Sequence, residues 1–336
     1  RGACIPEQRW LDLSNTRYLI VDKVGDIWHE DVAYDATFAQ KLAAGETLLI
    51  MPQPFQATAL DVLYACEGEA AACAPAVIAD DGVTLGAAGT QPVTEFSLTR
   101  YGFAAPLTPG SITLRAETAL SVRAVTLVDT RTGAFVQVTL PPWNRLLSSD
   151  IKLYENTAAL PRAFVVGQAV SAPDNAAALA LLRDPSFDPR QTVVLTGDER
   201  QNTEAFTTEG QNSTEAEQTR IVSYTAERVE IAVNVSAEGY LLLTDAYYPG
   251  WTATVDDVPA EIMRANILFR AVAVPAGESR VVFAYQPAWW PGIGVAGAAA
   301  WALWLLALLV TRGISRSPAR RSARHNVAAA RSSADG

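Results

Sequence analysis

Histidine is almost missing from this chain: 336 residues contain two, His29 and His325, far apart. Cysteine is nearly as scarce, with Cys4, Cys66 and Cys73. One close cysteine pair without a neighbouring histidine lacks the ligands of a zinc site. No GxSxG, HExxH or P-loop pattern occurs either. The sequence therefore names no catalytic residue, and neither a metal nor a cofactor is expected. Charge is absent from one long stretch, Gln286 to Thr311. No comparable apolar run lies near the start, Arg1-Gly2-Ala3, so no signal peptide is legible there.

What is present begins with that uncharged stretch. Ile293 to Val310 would span roughly 27 Å as a helix, close to the hydrocarbon thickness of a bilayer. Trp289 and Trp290 stand where an interfacial aromatic belt would, and Pro291 is tolerated in a first helical turn. The sequence thus predicts a transmembrane helix over 289–311. The tail 312–336 holds six arginines and one aspartate, net +5, which leaves −15 on the rest of a chain whose total is −10. The positive-inside rule then puts the tail in the cytoplasm and the large acidic part outside. That acidity argues against nucleic acid as a partner. Gly292, Gly294 and Gly297 spell GxGxxG, but the helical run after them is too apolar for a dinucleotide fold and no acidic residue stands about 20 positions on. Gly292 with Ala296, and Gly294 with Ala298, are instead small-xxx-small pairs that admit a neighbouring transmembrane helix.

A hydrophobic content of 49% against 18% charged residues is ample for packed cores. The chain is expected to be mainly β with a small α/β segment: two β-sandwich domains followed by one C-terminal transmembrane helix. Residues 1–25 read as a strand segment, and 26–148 as a first sandwich of short runs such as Thr47 to Met51, Val93 to Leu98 and Ser111 to Ala116. Exposed aromatics there, Trp28, Tyr34 or Tyr101, could stack on a sugar ring; the plainer reading makes them core or scattered surface residues. Residues 149–196 suggest a small βα unit, with a helix opened by Pro173 or Asp174 and closed at Asp184-Pro185. Residues 197–219 form a polar linker, and 220–287 a second sandwich in which Val229, Ile231, Val233 and Val235 share a face. Asp256-Asp257 and Pro275-Ala276-Gly277 read as tight hairpin turns. Cys66 and Cys73 are positioned to close a small disulfide loop in an oxidising compartment. Asn212 and Asn234 begin glycosylation sequons.

The series Tyr247-Tyr248-Pro249-Gly250-Trp251, Arg264-Ala265-Asn266, Phe269-Arg270, Val274-Pro275-Ala276-Gly277 and Tyr285-Gln286-Pro287, running into a membrane helix, resembles the C-terminal signature of bacterial YfhO-type membrane proteins. Leu11 to Ile20 and Leu160 to Val166 resemble segments of the same family; residues 26–148 do not, and Asp256-Asp257 replaces its glycine-containing turn. The resemblance covers about 8–22 and 150–311. It implies kinship with multi-pass glycosyltransferases that take sugars from polyprenyl-phosphate donors and decorate envelope polymers. Their catalytic acid lies in an early extracytoplasmic loop, which this chain does not contain. The chain is then expected to be the C-terminal part of a larger parent, inactive alone. Its partners would be the bilayer, other helices of the parent, and a lipid-linked sugar or envelope glycan. The alternative is a noncatalytic, membrane-tethered carbohydrate-binding or scaffolding module.

Two readings of the signature stand. In one, Trp251 plugs the sandwich while Arg264, Asn266 and Arg270 satisfy buried carbonyls. In the other, Arg264 and Arg270 meet a lipid-linked phosphate, with Tyr248 or Trp251 stacking on sugar. Asp245, Asp256, Asp257 and Glu261 are close in sequence and are either acid and base or turn formers.

Overall fold

The structure, a computed structural model, describes residues 7–67, 73–80, 82–197, 218–287 and 290–314. Cys4, the Asn212 sequon, nearly all of 197–219, Trp289 and the tail beyond Ile314 lie outside the described residues. The described residues are mostly β, with three helices among them: α1 (Gln8–Leu13), α2 (Asn175–Arg183) and α3 (Trp290–Ile314).

The first sandwich packs a larger sheet against a smaller one. The larger runs in the order Ala134–Val138, Leu120–Asp129, Ala57–Cys66, Phe96–Leu107, Ala87–Val93, with Gln40–Leu42 also paired to Leu120–Asp129. The smaller runs Thr47–Ile50, Ile112–Arg115, Ala76–Ala79, Val83–Leu85. Leu60, Val62, Ile112, Leu114, Val122 and Val125 fill the space between them. Strand Ala57–Cys66 reads as a near-continuous apolar run because its outer face is buried too, under the hairpin Asp26–His29/Val32–Asp35. That hairpin corrects one expectation. Tyr34 is fully buried and donates to Asp61 (2.7 Å), which Arg100 grips through two nitrogens at 2.7 Å each. Tyr101 is buried as well and donates to the Pro75 carbonyl. Neither tyrosine is available to a sugar; Trp28 alone of the three is exposed. Val93 to Leu98 is not one strand either. Thr94, at φ 55°, turns the chain between Ala87–Val93 and Phe96–Leu107, so its alternating apolar pattern bridges a hairpin. Cys66 and Cys73 are bonded, with Cα atoms 5.6 Å apart.

A three-stranded sheet, Tyr18–Asp22, Ile151–Asn156, Trp143–Ser148, joins the N-terminal segment to the chain leaving the sandwich. Its core is Leu11, Trp143 and Tyr154.

In the second sandwich one sheet runs Ala163–Val166, Gly239–Ala246, Phe269–Val274, Met263–Ala265, Thr192–Thr196, Gln168–Ala172. The last pair is parallel and is joined through α2, whose N-cap Asp174 accepts from the Ala177 amide at 2.8 Å. The strand-helix-strand segment therefore shares a sheet with the membrane-proximal strands. The facing sheet runs Gln218–Tyr224, Arg228–Val235, Gly277–Tyr285, Trp251–Val255, Val258–Ala260. Val229, Ile231, Val233 and Val235 all point into the core, against Leu241, Leu243, Val272 and Phe283. Asp256 and Asp257, at φ 51° and 64°, make the expected two-residue hairpin turn. Pro275-Ala276-Gly277 does not make a hairpin, because Phe269–Val274 and Gly277–Tyr285 belong to opposite sheets. The turn instead carries the chain across the core.

Helix α3 contains one window long and apolar enough to cross a membrane, Gly294–Arg312, with mean hydropathy 1.9 and no burial against the rest of the chain. Gly292, Gly294 and Gly297 all lie inside it, which rules out a phosphate loop before a helix.

Candidate membrane-proximal site

The last strand of the second sandwich ends at Tyr285, and four residues, Gln286 to Trp289, reach α3. At about 3.5 Å per residue they span at most about 14 Å. The strand ends around Tyr285 therefore stand close to the membrane helix. Trp251 is the register partner of Tyr285, and Ala246 that of Phe269, so the loop Tyr247-Tyr248-Pro249-Gly250 links the two sheets at this same end.

The loop's sequence follows from its geometry. Gly250 has φ 98°, and a Cβ there would sit 2.9 Å from Cε2 of Tyr285 and 3.2 Å from Cα of Pro287. Its carbonyl accepts from the Gln286 amide at 2.6 Å. A side chain would be strained by the left-handed backbone and would push on the segment leading to α3. Gly250→Ala is expected to cost about 2–4 kcal/mol in denaturant unfolding, the sum of the backbone and overpacking penalties. A loss below about 0.5 kcal/mol would mean that the segment yields freely.

The Arg264-Ala265-Asn266 triplet is structural. Asn266 accepts from the Val194 amide at 2.9 Å while its own amide donates to the Val194 carbonyl at 2.7 Å, fastening the turn to strand Thr192–Thr196. Asn266 and Ile267 have φ 46° and 73°, and Arg264 Nε donates to the Ile267 carbonyl at 2.5 Å, holding this turn closed.

Arg270 has a different surrounding. Its side chain is 3% exposed, with Cζ 3.9 Å from the centre of the Trp251 ring and 5.5 Å from that of Phe283. Nη2 donates to Asp245 Oδ2 at 2.9 Å, while Nε and Nη1 are buried without a hydrogen-bond partner. Burial pulls the Arg270 pKa below its ordinary value despite the opposing charge of Asp245. Asp245 is aimed here by an irregularity in Gly239–Ala246, where Thr244 and Asp245 are extra to the pairing with Phe269–Val274. Its other oxygen is gripped by Arg162, from Nε at 3.2 Å and Nη2 at 2.8 Å, and Tyr224 donates to it from above an Arg162 guanidinium 4.4 Å from its ring. Burial opposes the Arg162 charge, but the hydrogen bond and charge of Asp245 outweigh it and hold that pKa above its ordinary value. Arg264 is the register partner of Arg270, so it shares this face. Two arginines, Arg162 and Arg270, thus converge on one carboxylate, with Arg264 beside Arg270 on the same face. Around them Tyr224, Tyr247, Tyr248 and Leu268 are exposed at the same end.

Of the residues expected from sequence, Trp251, Arg264 and Arg270 come together, Tyr248 lies on the rim, and Asn266 serves the turn beside them. Arg162 and Tyr224 were not anticipated; the one trace of Arg162 was its place in Leu160 to Val166. Asp245 is not gathered with the other acids. Asp256 sits at the opposite end of strand Trp251–Val255, where it accepts from the Arg280 amide at 2.8 Å. Among the described residues no group of His, Cys, Asp and Glu is arranged to hold a metal ion.

With this geometry in view, the comparison with known families is specific. The model of the family described as bacterial membrane protein YfhO matches residues 199–291, the second sandwich up to the start of α3. The membrane-proximal part of this chain is thus similar to that family. No curated protein matches the chain. Among solved structures, the cryo-EM structure of the arabinofuranosyltransferase AftD from mycobacteria is similar at 12% identity, over 94% of this chain and 27% of that one, with a TM-score of 0.24. A mutant of the same enzyme is similar at 11% identity over 82% and 15%, TM-score 0.21. The chain thus spans about a quarter of that enzyme's length, and likenesses this distant carry neither fold nor activity over.

Proposed function

We propose that this chain is the extracytoplasmic C-terminal part of a YfhO-like membrane protein that takes part in glycosylating cell-envelope polymers from polyprenyl-phosphate-linked sugars. Its own role is to hold the lipid-linked donor at the membrane surface, and the catalytic groups belong to other parts of the parent. The observation that carries this reading is the convergence of Arg162 and Arg270 on the single carboxylate of Asp245, at the end of the sandwich tethered to α3. A net positive, aromatic-rimmed surface facing the headgroup region suits a phosphate with a sugar attached. Arg270 is walled in by Trp251 and serves the framework; Arg162, 46% exposed, is the cation that reaches a phosphate. The basic tail and the disulfide support an outside location, since disulfides persist in oxidising compartments. A second reading, the noncatalytic tethered module, draws on the absence of a second carboxylate beside Asp245 among the described residues.

The test uses the chain in lipid nanodiscs with a polyprenyl-phosphate-linked sugar as ligand. Arg162→Ala is expected to weaken binding about tenfold or more, the loss of one charge-assisted hydrogen bond. Arg280→Ala, which removes an equal charge elsewhere on the sandwich, should leave affinity within about twofold. Equal effects of the two, or no binding by the unaltered chain, would sink the donor-holding role.

A further inference from the structure

The seam between the first sandwich and the N-terminal segment encloses a cavity of about 750 Å³, remote in sequence from the membrane-proximal site. Three independent features meet on its walls. Arg123 is the extra residue of a bulge in Leu120–Asp129, where the pairing with Ala57–Cys66 slips between Val122 and Ala124. Bulges re-aim a side chain, and this one lies 5.2 Å over the Phe96 ring with its Nε buried and unpartnered. Thr94, β-branched yet at φ 55°, sits on the cavity's edge beside exposed Glu95. Such a conformation is disfavoured for its residue type and persists only where surroundings enforce it. Phe38 is held flat on Trp143, ring centres 4.4 Å apart and planes 8° apart, and Trp143 is itself fixed by donating to Gln8 Oε1 at 2.7 Å. The half-buried Phe38 ring is thereby a rigid apolar wall.

The lining selects among ligand classes. Glu7, Asp22 and Glu95 stand against the single cation Arg123, so a phosphate or carboxylate would meet net negative charge. A purely apolar ligand would leave the buried Nε of Arg123 without a partner. A neutral polyhydroxyl ring satisfies both sides: its C–H face packs on Phe38, its hydroxyls donate to Asp22 and Glu95, and its oxygens accept from Arg123. The volume falls in the range of small-ligand sites. We infer that this cavity is a binding site for a short stretch of neutral saccharide, independent of the donor site at the membrane.

The experiment is calorimetric titration of the full chain in detergent with linear neutral hexose and pentose trisaccharides, beside a trisaccharide containing a uronic acid. At least one neutral trisaccharide is expected to bind, and the acidic one at least tenfold more weakly. Phe38→Ala is expected to abolish binding. Because that change also removes packing on Trp143, Glu95→Gln, at an exposed turn position, is the second variant, and an affinity loss of about fivefold to tenfold is expected. Trp28→Ala, at the exposed aromatic outside the cavity, should change nothing. Loss of binding in Trp28→Ala with retention in Glu95→Gln would move the site out of the cavity. Preference for the acidic sugar, or no binding of any trisaccharide at millimolar concentration, would overturn the assignment.

Discussion

Asp245→Ala is expected to destabilise the chain by about 3–5 kcal/mol, the usual cost of stripping a buried ion of its counter-charge. Arg270 would then lie 3% exposed between Trp251 and Phe283 with none of its five donors matched by a carboxylate. The ring contacts soften this but do not replace an anion, because a cation–π contact contributes about 0.5–2 kcal/mol. Arg162 would lose its carboxylate too, at smaller cost because water reaches it. Denaturant unfolding of the purified chain checks the figure. The double variant Asp245→Leu/Arg270→Met should recover most of the loss, since exchanging both members of a buried pair for apolar groups is often neutral. If Asp245→Ala cost less than about 1 kcal/mol, Arg270 must find water, and its burial between the two rings would be wrong.

This pair also shows how far the sequence could be read. The alternating valines of Arg228–Val235, the capped helix α2 and the charge-free α3 each declare themselves locally, through a period, a cap or a length. The YfhO-type motif was equally legible as a string, but its purpose was not, because its residues work through partners distant in the chain. Gly250 is required by Tyr285 and Pro287, and Asn266 by Val194, 72 positions away. Arg270 depends on Asp245, which only a strand irregularity turns inward, and Arg162 joins from another strand altogether. Irregularities of pairing leave little trace in hydropathy. The same blindness hid Arg123 at its bulge and the two-residue turn at Thr94. Tyr34 and Tyr101 misled for a related reason: aromatics in short strands look alike whether a further hairpin covers them or not, and Val32–Asp35 does cover the outer face of this sheet.

Most of the signature therefore builds the platform, and its function enters through what the platform leaves outward. The turn at 265–268, the Tyr247-Tyr248 loop and Tyr224 all open toward the end from which α3 departs. Tyrosines favour the membrane–water boundary, where the ring is shielded and the hydroxyl stays wet. On the donor-holding reading proposed above, a short tether and an aromatic rim at the same end would keep the sandwich close to the bilayer, a geometry that suits capture of a headgroup.

Lys152→Met is expected to be the other severe substitution, at about 3–5 kcal/mol near neutral pH. Lys152 is fully buried, paired with Asp26 and, at 3.0 Å, with Asp35. Asp35 also accepts from Thr37 at 2.6 Å and from Tyr154 at 2.5 Å. Burial pushes the Asp35 carboxyl up, but these hydrogen bonds and the lysine's charge together hold it below the ordinary carboxylate value. A depressed carboxylate stabilises the fold above its unfolded pKa of about 4, and that contribution is lost as pH falls through the lower folded value. The unaltered chain should therefore weaken in acid. In the methionine variant the burial of Asp35 is no longer opposed by the lysine, so its protonated form is favoured and acid relieves the strain. The stability gap between the two proteins should narrow as pH drops from 7 toward 4, read from urea unfolding at each pH. A gap constant across that range would mean that Lys152 contributes by packing its aliphatic stem rather than by its charge.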